Sequence, residues 1–126
     1  MEDELSPFVQ TDFSDLSKWT ALLDEVAKEN EMGFRAYIAP VSEPRFSGAN
    51  PKEVVAAFPD ASVVFIVDKI ALEKREILCV DVEDATAMFR AKADDLWIVE
   101  NNVSIGNLLF EELLEQVGED GVLTTE

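Results

Sequence analysis

Three aspartates stand where an apolar, strand-like run ends. Asp12 follows Pro7-Phe8-Val9-Gln10-Thr11, Asp68 follows Ser62-Val63-Val64-Phe65-Ile66-Val67, and Asp81 lies near the end of Glu76-Ile77-Leu78-Cys79-Val80-Asp81-Val82. In open α/β sheets, ligands sit outside the carboxyl ends of the strands. Three carboxylates gathered there suit Mg²⁺, a hard cation that prefers oxygen ligands. Such a metal supports phosphoryl transfer, with Lys69 or Arg75 as phosphate partners. The same aspartates have a plainer use. Where a chain leaves a strand, an Asp side chain bonds nearby backbone N–H groups and caps the helix that follows. The metal reading also requires a strand direction: if the strand ending near Asp81 runs antiparallel to the one before Asp68, the two acids fall at opposite ends.

A second cluster is rich in directional hydrogen-bonding groups. Leu96-Trp97-Ile98-Val99-Glu100-Asn101-Asn102 runs on to Asn107, followed by Glu111, Glu112 and Glu115. Glu100, Asn101, Asn102, Glu111, Glu112 and Glu115 form a candidate contact set for a protein partner. The plainer reading is that Asn101 and Asn102 terminate one helix and Asn107 starts the next. Arg45 and Phe46, on a loop between prolines, form a second candidate patch, because Arg and aromatics are enriched at binding hot spots. Alternatively, the aromatic folds back over the core.

Composition removes several chemistries. The chain has 126 residues, no histidine and one cysteine, Cys79. That excludes Ser-His-Asp and Cys-His catalysis, His-based metal sites and an intramolecular disulfide. Cys79 lies in an apolar run and reads as a buried hydrophobe. Gly33, Gly48, Gly106, Gly118 and Gly121 form no phosphate-binding loop. The net charge is −17, from 27 acids and 10 bases. Nucleic acid and anionic membrane surfaces are therefore disfavoured, and a basic protein partner is the expected counterpart. The excess is terminal: residues 93–126 hold nine acids and no base, whereas residues 35–92 are almost balanced. The start lacks the positive region of a signal peptide, no apolar run reaches membrane-spanning length, and a reducing cytoplasm is the simplest compartment.

The elements that must position these residues follow from patterning. The length predicts one domain, here residues 1–126 with 1–5 frayed. Pro7–Thr11 reads as a strand. Ser14 is placed to cap a helix in which Leu16, Trp19, Leu22, Leu23, Val26 and Ala27 recur on one side, with Gly33 as the stop. Phe34–Ile38 reads as a strand closed by Pro40. Asn50-Pro51-Lys52-Glu53 is a compact helix start, with a cap, a Pro at the first turn and a Glu that reaches back. Ser62–Val67 and Glu76–Val82 suit strands buried on both faces, and Ala87–Ala91 a weaker strand. A helix from Asp94 or Asp95 ends near Glu100, another begins at Asn107, and Gly121-Val122-Leu123 adds a short edge. Alternating strands and helices predict an α/β fold: a single-domain mixed sheet of about five strands with helices packed on it. The strands around Val63 and Leu78 are joined too closely for a parallel crossover, so the sheet turns antiparallel towards the C-terminus.

Three stretches together resemble a small bacterial domain family of unknown function. They are Gln10-Thr11-Asp12-Phe13-Ser14-Asp15 with Trp19, Gly33-Phe34-Arg35-Ala36-Tyr37, and Leu96-Trp97-Ile98-Val99-Glu100-Asn101-Asn102 with Asn107 and Phe110-Glu111-Glu112. The resemblance covers nearly the whole chain. It implies one compact domain of a bacterial or phage cytoplasmic protein and transfers no residue roles.

Two functional expectations result. The first is an acidic, non-enzymatic protein that occupies a basic site on a partner, as immunity proteins, antitoxins and phage inhibitors do, with no cofactor. The second is a small Mg²⁺-dependent phosphoryl-transfer or ligand-binding domain built on Asp12, Asp68 and Asp81.

Overall fold

A computed structural model describes residues 5–29, 31, 33, 35–104 and 110–123. Its centre is a five-stranded mixed sheet of order β2-β1-β3-β4-β5. The strands are β1 (Ser6–Gln10), β2 (Ile38–Val41), β3 (Val63–Val67), β4 (Glu76–Asp81) and β5 (Met88–Lys92). β1 lies between β2 and β3 and is parallel to both. β4 is antiparallel to β3, and β5 to β4. The expected switch in direction therefore falls at the short connection after Val67.

Alternation along the strands explains why the central runs read as continuously apolar. Val63, Phe65 and Val67 point into one core, and Val64 and Ile66 into the other. The larger core takes α1 (Leu16–Ala27), α3 (Lys69–Lys74), α4 (Leu96–Ser104) and α5 (Phe110–Leu114). Trp19 stacks on Phe8 there, with ring centroids 5.6 Å apart. The opposite face takes α2 (Pro51–Ala57) through Val54. α2 starts as its residues predict: Asn50 accepts the Glu53 N–H, and the Glu53 carboxylate accepts the Asn50 N–H.

Several local expectations change. Asp15, not Ser14, caps α1 by accepting the Lys18 N–H. Ser14 is drawn instead to the Asp12 carboxylate. α1 ends at Ala27, earlier than expected, with Lys28 as its cap. Leu16, expected on the apolar stripe, is 69% exposed. β2 starts later than expected and includes Pro40. Pro40 is tolerated because β2 is an edge strand: the Ser6 N–H bonds the Tyr37 carbonyl, so alternate residues face β1 and Pro40 presents its missing donor outward. α4 runs through Asn101 and Asn102 rather than stopping there. Val103 and Ser104, expected to be extended, are its last residues. Ile105 and the expected cap Asn107 lie outside the described residues. The chain near Val122 forms a bridge to Arg90 of β5 rather than a full strand.

Candidate functional site

The three strand-end aspartates are not brought together. β1 and β3 are parallel neighbours, so Asp12 and Asp68 leave the sheet at the same end, where the Thr11 N–H donates to the Val67 carbonyl at 3.0 Å. Asp81 is registered opposite Val63, the first residue of β3, and sits at the other end. The antiparallel turn at β4 is the physical reason, and it dismantles the shared three-carboxylate site. Among the described residues, no group of three or more acids and cysteines is placed to hold a metal ion.

Each aspartate has a structural use. Asp12 accepts the Ser14 N–H at 2.8 Å and the Ser14 hydroxyl at 2.5 Å. The hydroxyl bond, then the backbone bond, and the nearby Lys69 charge hold its carboxyl below the usual range against a small desolvation effect. Asp68 caps α3 through the Ala71 N–H. It also takes Arg90 with both oxygens, at 3.1 and 2.6 Å, while the same guanidinium donates to the Glu76 carbonyl at 3.0 Å. That forked geometry is the strong form of an ion pair. Asp81 accepts the Glu83 N–H at 3.0 Å and turns the chain between β4 and β5.

The second cluster is divided by burial. Glu100 is 2% exposed and accepts the Tyr37 N–H at 2.9 Å and the Asn101 side-chain amide at 3.0 Å. Asn101 donates in addition to the Arg35 carbonyl at 2.8 Å. This pair joins α4 to the lead-in of β2, and it corrects Glu100 from a surface contact to an internal positioning group. It also explains why Asn101 does not break the helix: its amide bonds across to another segment rather than to its own backbone. Glu112 and Glu115 are exposed. The side chains of Asn102 and Glu111 lie outside the described residues. In the second patch, Phe46 is 4% exposed and stacks on Phe58, so it belongs to the core and not to a surface. Arg45 remains exposed, over the Phe46 ring and paired with Glu43 at 2.7 Å.

Burial also settles the cysteine. Cys79 is fully buried, and desolvation pushes its thiol far above the ordinary range, with Arg90 opposing weakly. It is not a nucleophile at neutral pH.

A groove of about 940 Å³ opens among the described residues, and the sequence did not mark it as a unit. One wall is the second half of α1 and the chain after it, with Asp24, Glu25, Lys28, Glu29 and Glu31. The other wall carries Asp94 and Trp97, at the turn into α4, and Arg35 and Arg75 complete the lining. Arg75 is engaged by Glu25. Arg35 lies over the Tyr37 ring, 4.8 Å from its centroid. Asp24, Glu29, Glu31 and Asp94 are exposed, and no ion pair holds them among the described residues. The acid-rich first segment thus meets the start of the last one, through Asp94, in one groove. A signal was present for part of it: Asp24 and Glu25 stand between the apolar positions Leu22 and Val26 of α1, so they fall on its polar side.

The fold and this surface define a small α/β domain, open at one groove and doubly covered at its sheet. The chain belongs to the DUF6924 family, a domain of unknown function, whose model matches residues 5–126. No curated protein matches it. No helix among the described residues is long and apolar enough to cross a membrane.

Proposed function

We propose that this chain is a non-enzymatic binding protein whose acidic groove receives a basic site of a protein partner, in the manner of an immunity protein, antitoxin or phage inhibitor acting in the cytoplasm. The observation that carries the reading is the groove itself. Four exposed carboxylates, Asp24, Glu29, Glu31 and Asp94, line it, while Arg75, one of its three cations, is already engaged by Glu25. Lys28 and Arg35 are the other two cations, so the unpaired charges of the groove are four negative against two positive, and a net charge in a concave site focuses the field and attracts the opposite charge. Such complementarity raises association rates and selects partners more than it sets affinity.

Full-length chain immobilised as bait in a bacterial lysate, and eluted in salt steps, tests this. The expected result is one stoichiometric basic protein released at moderate salt. Recovery of only abundant basic proteins, in no fixed ratio, contradicts the reading and makes the charge a means of solubility.

A further inference from the structure

Large apolar side chains are exposed at five described positions: Leu5, Phe13, Leu16, Tyr37 and Ile70. Three of these share one end of the fold, away from the groove. Phe13 follows Asp12 where the chain leaves β1, Leu16 opens α1, and Ile70 is the second residue of α3, just past β3. β1 and β3 are paired neighbours, and α1 and α3 pack on the same face through Trp19, Leu22, Ala71 and Leu72. The two exits are close enough for the Lys69 charge to act on Asp12. This is also the point where the order 2-1-3 sends successive connections to opposite faces of the sheet, the position at which open α/β sheets bind their ligands.

Leaving these side chains in water has no local structural use. Leu16 is 69% exposed although it lies in register with Trp19, which is buried. Grouped exposed apolar side chains with a polar rim mark interaction sites. The rim here is Asp12, Asp15 and Glu73 against Lys18 and Lys69, with Lys69 paired to Glu73 and Asp68 taken by Arg90, so it is nearly balanced on a chain of net charge −17. A second copy of this chain would bring two charges of −17 together, which is costly. The same repulsion rejects acidic partners and anionic lipid.

We propose that Phe13, Leu16 and Ile70 are the apolar anchors of the interface, receiving an aliphatic or aromatic segment flanked by Lys or Arg on a protein partner. The proposal rests on the binding-protein reading and adds to it the contact that supplies affinity. Charges steer and select, whereas a few desolvated apolar or aromatic side chains carry most binding energy. Phe46, the aromatic anchor that the sequence offered, is in the core, and this patch takes its place.

The test uses two synthetic peptides of equal positive charge, one alternating Lys with Leu and the other Lys with Ala. Each is titrated into ¹⁵N-labelled full-length chain, and amide shifts are followed. The Leu peptide is expected to bind at least about tenfold more tightly, as loss of a hot spot would require. Its shifts should centre on residues 12–16 and 69–71. Leu16→Ser, at a position 69% exposed, should leave the melting temperature unchanged, and Ile70→Ser, at a position 43% exposed, should lower it only slightly; either should reduce the preference and the two together abolish it. Equal binding of the two peptides, or shifts confined to residues 24–29 and 93–97, overturns this proposal and leaves the acidic groove standing. Binding of neither peptide overturns both.

Discussion

At the carboxyl end of the sheet, Asp68 caps α3 and grips Arg90 with both oxygens, and at the α4–β2 junction Glu100 receives the Tyr37 N–H and the Asn101 amide. In the groove, Asp24, Glu29, Glu31 and Asp94 instead face solvent with no ion pair among the described residues. All six carry the same carboxylate. The difference is what each has been given to bond. A carboxylate with donors of its own positions the chain, and its lone pairs are taken up locally. One without them keeps its field available to a partner. Net charge alone does not make this distinction.

The largest expected effect strikes the engaged set. Asp68→Ala removes the cap of α3 and leaves the mostly buried Arg90 guanidinium without its carboxylate. Urea unfolding should show a loss of about 2–4 kcal/mol, between a lost cap and a broken buried pair. A loss below about 0.5 kcal/mol, the level of a neutral surface change, would erase the contrast. Next, Glu100→Ala strips the Tyr37 N–H and the Asn101 amide of their acceptor. It should cost about 1–3 kcal/mol, the range for an unsatisfied buried donor, and Glu100→Gln should recover part of it by keeping an oxygen in place.

Asp95 is neither fully buried nor fully exposed. Burial, then the adjacent Asp94 charge, holds its carboxyl above the usual range, against an opposing effect of Lys92. The native state therefore binds this proton more readily than the unfolded chain does. Ionised Asp95 opposes folding above its raised folded pKa, and the penalty disappears as pH falls below the ordinary carboxylate value. Asp95→Asn should thus raise the melting temperature slightly at pH 7. That gain should vanish below about pH 3.9, the unperturbed value for Asp. A gain independent of pH would assign the effect to something other than charge.

The smallest effect on stability belongs to the groove. The triple change Asp24→Asn, Glu29→Gln and Asp94→Asn should leave stability within about 0.5 kcal/mol, as expected of surface positions without buried partners. A large loss would show these acids to be structural after all.

The sheet was legible because its signals are local and redundant. The apolar run Val63–Val67 matches burial on both faces, and the short link after it forces β4 to turn antiparallel. The Asn50-Pro51-Lys52-Glu53 cap was readable because its partners are three residues apart. The site was less legible because its logic is long-range. Glu100 and Tyr37 are 63 positions apart, and no local pattern announces that a helix glutamate will meet a strand N–H. Asp68 and Arg90 are 22 apart and meet only because β4 and β5 fold back on β3. Phe46 looked exposed because the loop around it is rich in Pro, Ser and Gly, yet a short 3₁₀ turn at Pro44–Phe46 carries its ring back to Phe58. Leu16 failed in the opposite sense: its spacing fits the apolar stripe, but it opens α1 and lies beyond the packed part of the stripe.

The most direct test of the central claim is the association rate of the captured basic partner, measured by stopped flow with the unchanged chain and with the groove triple variant. Between about 20 mM and about 150 mM salt, where screening shortens to roughly 8 Å, the unchanged chain should slow by about tenfold, as electrostatic steering requires. The variant should start slower at low salt, and the two rates should converge at high salt. A rate that is flat with salt and the same for both chains would contradict the account.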